Sequence, residues 1–136
     1  MIDETKLKNF LDAVKWDASG LAPCVVQDAR DLRVLMVAYM NRASLERTFR
    51  EGRACYWSRS RGKFWLKGEE SGNFQEVRSI QLDCDGDCLL LFAGQKGGAA
   101  CHTGMRSCFY RTLQEDGTLA VTEERVFDPG KVYGKS

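Results

Sequence analysis

The stretch Cys88-Leu89-Leu90-Leu91-Phe92-Ala93 is an uninterrupted apolar run. A short run of this kind, without polar alternation, is typical of a strand that is buried on both faces. The segment before it, from Phe74 to about Leu82, carries Val77, Ile80 and Leu82 and predicts a long strand. We therefore expect a sheet in which residues 88–93 form a central strand.

Two helices and further strands are predicted around this run. Apolar residues at helical spacing predict an amphipathic helix over residues about 4–14, and Asn41 can cap a second, short helix that Gly52 ends. Two helices among roughly eight strands predict an α+β fold with a mainly antiparallel sheet. The predicted strands are 24–26, 33–39, 54–58, 64–66, 74–82, 88–93, 108–113 and 118–126.

Length and composition restrict the class of protein. The chain has 136 residues, which predicts a single domain over residues 1–136. Because the formal net charge is only +1, nucleic-acid binding would have to depend on a local basic patch. No apolar run approaches the ~20 residues of a membrane span, and the N-terminus lacks a secretory pattern. We expect a cytoplasmic protein that binds no membrane and keeps its six cysteines reduced.

An acidic cluster, Asp83-Cys84-Asp85-Gly86-Asp87, precedes the central run. In a straight strand the outer aspartates would be about 13 Å apart, too far to share one ion at oxygen distances of about 2.0–2.6 Å. Gly86 permits a bend that brings the carboxylates together and leaves Cys84 directed at a separate site. Because hard oxygen ligands suit Mg²⁺ or Ca²⁺, the cluster predicts a divalent-cation site, although such a triplet is also common in solvated turns.

Two known kinds of metal site are excluded by residue positions. Counted from Asp83, an EF-hand loop needs Gly at its sixth position and Glu at its twelfth, where this chain has Cys88 and Gly94. A zinc deaminase of the cytidine type needs H-x-E and P-C-x-x-C, but Thr103 and Gly104 follow His102 and no cysteine pair has that spacing.

A second cluster of ligand-type residues holds the single histidine, His102, between Cys101 and Cys108. On a continuous helix the two cysteines would be ~10 Å apart, too far for one zinc ion with Zn–S bonds of ~2.3 Å, but Gly104 favours a folded loop. If Cys84 joined these two cysteines, three thiolates would leave the fourth position of a zinc ion open. His102 could be the fourth ligand, or it could act as a base beside the metal. Spacing alone leaves open whether the two cysteines bind metal, because cysteine is often simply buried.

Residues 56–73 combine basic, aromatic and small side chains. Their cations and backbone N–H groups can converge on phosphate, and Trp57 and Trp65 offer flat surfaces for a base. Two alternatives are a cationic hairpin turn flanked by core aromatics and the RNA-binding hairpin of a zinc-stabilised module. The aspartate triplet opposes RNA binding, because carboxylates repel phosphate unless a cation lies between them.

Four sequence blocks occur in order between about Trp16 and Val126. They are Trp57-Ser-Arg-Ser-Arg61, Trp65-Leu-Lys-Gly-Glu69 with Ser71-Gly-Asn73, Asp83-Cys-Asp-Gly-Asp87, and Cys101-His-Thr-Gly104 with Ser107-Cys-Phe109. Together they resemble the phosphoribosyl-AMP cyclohydrolases of histidine biosynthesis. Met105 stands where many members have a basic residue, and we expect the stand-alone form without a pyrophosphohydrolase domain.

The resemblance implies a hydrolase that opens the purine ring of 1-(5-phosphoribosyl)-AMP at the N1–C6 bond, giving the ring-opened intermediate. It implies an intertwined homodimer in which Cys84 of one chain joins Cys101 and Cys108 of the other around Zn²⁺. We expect His102 to carry the catalytic proton. The Mg²⁺ ligands carried over from the family are Asp83, Asp85 and Asp87. The residues expected to bind substrate are Trp57, Arg59, Arg61, Lys67, Glu69 and Ser71.

Overall fold

The fold is α+β, as the sequence predicts. The computed structural model describes residues 3–126, so both ends of the predicted domain 1–136 lie outside the described residues. Within them there are two α-helices, eight strands and one 3-10 turn at Lys96–Gly98. The elements are α1 (Glu4–Ala13), β1 (Ala22–Asp28), β2 (Val34–Met40), α2 (Arg42–Glu51), β3 (Cys55–Ser58), β4 (Lys63–Leu66), β5 (Gln75–Leu82), β6 (Leu89–Gln95), β7 (Arg111–Leu113) and β8 (Leu119–Val121).

The main sheet has the strand order β2-β1-β6-β5. Its β1–β2 and β5–β6 pairs are antiparallel, whereas β1 and β6 are parallel. Strand β6 therefore has a neighbour on each side, which confirms the prediction of a central strand. Leu89, Leu91 and Ala93 are fully buried on one face of β6, and Leu90 and Phe92 are half-buried on the other.

Both helices begin at a capping residue, and the caps of the second helix, Asn41 and Gly52, are the ones that the sequence predicts. The side chain of Asp3 accepts a hydrogen bond from the backbone N–H of Lys6 at the start of α1. Asn41 and Ser44 form a capping box at the start of α2, and Gly52 ends that helix with φ of 71°. The buried faces of both helices join the core of the main sheet. Neither helix is long and apolar enough to cross a membrane.

Two hairpins, β3–β4 and β7–β8, lie outside the main sheet. The second is shorter than the predicted strands 108–113 and 118–126, because neighbouring segments bind elsewhere. The backbone N–H of Cys108 donates to the carbonyl of Leu35 at 2.7 Å, and the N–H of Val126 donates to the carbonyl of Gly104 at 2.5 Å. These bonds draw Cys108 towards β2 and place the segment after β8 against the loop that carries His102.

Candidate active site

The segment Asp83–Asp87 forms the tight turn between β5 and β6. Gly86 has φ of 79°, and its N–H donates to the carbonyl of Asp83 at 3.1 Å. One carboxylate oxygen of Asp83 accepts the N–H groups of Asp87 and Cys88 at 3.0 and 3.2 Å. Ligand oxygens of all three aspartates consequently lie within 4.8 Å of one another. The predicted bend at Gly86 is confirmed.

The aspartates of this turn repel one another. A hydrogen bond with Asp85 and the charge of Asp85 raise the pKa of Asp87. Desolvation raises the pKa of Asp83, but the N–H groups of Cys88 and Asp87 outweigh it, and the net shift is downwards. A divalent cation relieves such repulsion and prefers oxygen ligands. The donor set therefore suits a hard divalent cation such as Mg²⁺ or Ca²⁺.

Residues Cys101–Gly104 form a second tight turn. The N–H of Gly104 donates to the carbonyl of Cys101 at 3.0 Å, and the N–H of Cys101 donates to the carbonyl of Met105 at 3.1 Å. The folded loop predicted from Gly104 is thus confirmed, and it brings the thiol of Cys101 close enough to Cys108 to raise the pKa of Cys108. Burial raises the pKa of Cys108 to about 12, and Cys101 adds to this shift. A soft cation that displaces the thiol protons fits this pair.

The third predicted zinc ligand, Cys84, is not part of this thiol pair. It is exposed in the turn before β6, whereas Cys101 follows the far end of that strand. Strand β6 contains seven residues, which corresponds to a length of about 20 Å. Thiolates that share a zinc ion with bonds of ~2.3 Å lie within about 4 Å of one another. The described part of one chain thus offers this zinc site only two of its three predicted thiolates.

A cleft of about 870 Å³ follows the β3–β4 hairpin and the loop after it. His102 lines it together with four of the six residues predicted to bind substrate. These four are Arg61, Lys67, Glu69 and Ser71. The structure therefore brings the histidine of one sequence block and the polar residues of two others to one surface.

Trp57 and Arg59 are not among the residues that line this cleft. Trp57 packs edge-on against Phe64, with 5.3 Å between ring centroids, and the guanidinium of Arg59 lies 3.8 Å from the centroid of the Tyr39 ring. Two aromatic residues, Phe64 and Trp65, do line the cleft. The sequence analysis proposed Trp65 as a flat surface for a base but did not place it among the residues expected to bind substrate. The hairpin register pairs Trp65 with buried Tyr56, and strand alternation places Lys67 on the same face.

Lys67 connects the cleft with the thiol pair. Its side chain is buried, at 4% exposure, and its Nζ lies 5.4 Å from the centroid of the Trp65 ring. Burial lowers the pKa of Lys67, and the nearby Cys108 and Cys101 oppose that shift. Lys67, which the sequence analysis predicts to bind substrate, is thus a buried residue of the cleft lining, near the predicted zinc ligands.

The contact between Arg106 and Asp31 holds the loop that carries His102, and its contribution to the stability of the fold should depend on pH. Arg106 donates to Asp31 at 2.7 Å, and this hydrogen bond lowers the pKa of Asp31 from 3.8 to about 2. Because the folded-state pKa is depressed, the contact stabilises the fold above about pH 4 and is lost as the pH falls towards about 2. We expect Asp31→Asn to lower the urea midpoint at neutral pH and to have little effect near pH 2.

Glu115→Gln, in the exposed turn of the β7–β8 hairpin, is the matched control for this charge removal. Its urea midpoint should follow that of the wild type at both pH values. If Asp31→Asn lowers the urea midpoint by the same amount at neutral pH and near pH 2, the assigned ion pair is contradicted.

A histidine at a cleft, two cysteines near a lysine that lines the cleft, and a separate turn of carboxylates are typical of the class of metal-dependent hydrolases. Residues 36–110 match the family model PRA-CH, described as phosphoribosyl-AMP cyclohydrolase. Proteins with that name include one from Chlorobium phaeovibrioides, 57% identical over 94% of this chain and 93% of that protein. The protein from Chlorobium limicola is 55% identical over 94% of this chain and 93% of its own length. The protein from Azotobacter chroococcum is 54% identical over 93% of this chain and 95% of its own length. The chain belongs to the phosphoribosyl-AMP cyclohydrolase family and is an enzyme, a hydrolase; the RNA-binding alternative is not favoured.

Proposed function

We propose that this protein hydrolyses the N1–C6 bond of the purine ring of 1-(5-phosphoribosyl)-AMP in histidine biosynthesis. The single observation that carries the proposal is the position of His102, which lines one cleft with Arg61 and Lys67. The names of the relatives support the same substrate. A cytoplasmic location and a single domain over residues 1–136 stay predictions that agree with this role.

The proposed enzyme is a homodimer that holds zinc between its chains. Cys101 and Cys108 of one chain and Cys84 of the second supply the thiolates, and the separation of about 20 Å along β6 supports a contribution from both chains. Asp83, Asp85 and Asp87 hold Mg²⁺. When bound, zinc supplies a Lewis acid that lowers the pKa of water from ~15.7 towards ~7.

The ring opens by addition of one water molecule, and both protons leave the water oxygen. One proton passes to N1, and the second is released to solvent as the carbonyl forms from the cationic ring. The water oxygen forms a bond to C6, the N1–C6 bond breaks, and C6 becomes the carbon of a carboxamide. His102 is exposed at the cleft wall, where its imidazole can accept the proton from water and deliver it to N1. This transfer prevents N1 from leaving as an anion.

The phosphates of the substrate need cationic partners. Arg61 lines the cleft at the β3–β4 turn, and its backbone N–H donates to the hydroxyl of Ser58 at 3.2 Å, which fixes the turn. Guanidinium groups bind phosphate through two parallel hydrogen bonds. Arg61 is therefore the stronger candidate for a phosphate, whereas Arg59, stacked on Tyr39, stays a prediction from the family resemblance.

Incubation of the purified protein with phosphoribosyl-AMP tests this function. We expect the purine absorbance to change and mass spectrometry to show a product that is heavier by one water. A chelator should abolish turnover, and Zn²⁺ with Mg²⁺ should restore it. Absence of turnover with both metals present would refute the proposed activity.

A further inference from the structure

The cleft carries charges of opposite sign near its two ends. Arg61 and Lys63 lie at the β3–β4 turn, and Glu69 and Glu70 lie beyond the other end of β4. None of these four side chains forms an ion pair within residues 3–126. Strand β4 spans four residues, or about 10 Å between its first and last Cα atoms. One end of the cleft therefore suits an anion and the other suits a cation.

Trp65 lies on the strand that separates these ends. Its side chain is 39% exposed and lines the cleft. The ring packs against fully buried Tyr56, with 5.5 Å between centroids, so its position is fixed by the core of the hairpin. Lys67, which is buried, places its Nζ 5.4 Å from the centroid of the same ring. The exposed part of the ring is thus a rigid aromatic surface in the cleft that Glu69 and Glu70 also line.

The proposed substrate differs from ordinary adenine nucleotides in the charge of its ring. A substituent on N1 makes the protonated amidine of the purine a cation at neutral pH, whereas the base of AMP is neutral. Both molecules carry the ribose 5′-phosphate at N9, so contacts with that group do not distinguish them, whereas the phosphoribosyl group at N1 belongs to the substrate alone. A cation over the face of a Trp ring is attracted by the ring quadrupole, and carboxylates add an opposite charge.

We propose that Trp65, together with Glu69 and Glu70, is the specificity-determining surface for the purine. It binds the cationic, N1-substituted ring and discriminates against neutral adenine nucleotides. The inference rests on the proposed function, because it names the part of that substrate which the cleft selects. Arg61 and Lys63 bind phosphate at the other end and contribute equally to both kinds of ligand.

Binding of 1-methyladenosine 5′-monophosphate and AMP to the metal-loaded, full-length protein tests the inference. These probes differ in the charge of the base and share the phosphate. We expect calorimetry to show that the wild type binds the methylated nucleotide about 5–30-fold more tightly, as a cation–π contact and a carboxylate predict. Trp65→Leu should reduce this ratio to near one, and Trp65→Phe should retain part of it because Phe is a weaker cation binder.

Two further variants separate the ends of the cleft. Glu70→Gln should lower the ratio of the two affinities, whereas Lys63→Gln should weaken both nucleotides by the same factor. Trp57→Leu removes the other tryptophan of the hairpin. If Trp57→Leu binds both nucleotides equally while Trp65→Leu still prefers the methylated nucleotide, the assignment to Trp65 is wrong. Equal affinities of the wild type for both nucleotides would also overturn it.

A parallel assay with phosphoribosyl-AMP keeps the two proposals apart. A wild-type protein that turns over this substrate but binds both probes equally contradicts the role of Trp65 alone. A protein without turnover contradicts the proposed function itself. Circular dichroism and zinc content of each variant establish that a changed ratio reflects recognition of the base.

Discussion

Replacement of Cys101 by serine is expected to remove zinc and to lower kcat/KM by about 1,000-fold or more. The thiol of Cys101 lies near that of Cys108 and raises its pKa, and a hydroxyl is a poor ligand for a soft cation. Loss of a metal that contributes several kcal/mol to the transition state corresponds to a rate effect of this size. Elemental analysis of the purified variant and a cyclohydrolase assay measure both quantities.

Cys24→Ala is the matched control for removal of a thiol. Cys24 is fully buried in β1, where burial raises its pKa to about 12. Its replacement should lower the free energy of unfolding but leave the zinc content of the folded protein unchanged. Full activity of Cys101→Ser without bound zinc would contradict the proposed mechanism.

Replacement of His102 by alanine is expected to lower kcat by about 100-fold to 10,000-fold, the range of general acid–base catalysis. Zinc content should not change, because the imidazole is assigned to proton transfer and the thiolates to the metal. KM should change little, since His102 is exposed at the cleft wall and is not assigned to a phosphate. Steady-state kinetics with metal analysis distinguish the two effects.

His102→Asn tests whether hydrogen bonding alone is sufficient. Asparagine retains a polar group near this position but transfers no proton at neutral pH. We expect it to be as slow as alanine. A variant with normal turnover refutes the proton-transfer role, and joint loss of zinc and activity would instead identify His102 as a metal ligand.

Local sequence signals predicted most of the fold. Asn41 and Gly52 marked the ends of α2, and the apolar run 88–93 marked the central strand, because capping and burial depend on nearby residues. The parallel pairing of β1 with β6 was not predicted, since it joins segments that are distant in the chain. The length of the β7–β8 hairpin was also not predicted, because Cys108 bonds to β2.

The candidate site was predicted in part for the same reason. Gly86 predicted the turn that brings the three carboxylates together, and Gly104 predicted the turn that follows Cys101. The sequence offered two tryptophans for a base, and only the register of β3 and β4 shows that Trp65 shares a face with Tyr56. Which of two neighbouring side chains lines a cleft depends on what the strand packs against, and composition does not contain that information.

The parallel pairing between β1 and β6 has a consequence for synthesis of this enzyme. Because the register joins Cys24 to Leu89, a nascent chain on the ribosome must hold an unpaired edge of β1 until most of the polypeptide has emerged. Distant contacts of this kind slow folding and expose apolar edges to aggregation. Yield in a host cell should therefore depend on translation speed and chaperone supply more strongly than the stability of the finished protein suggests.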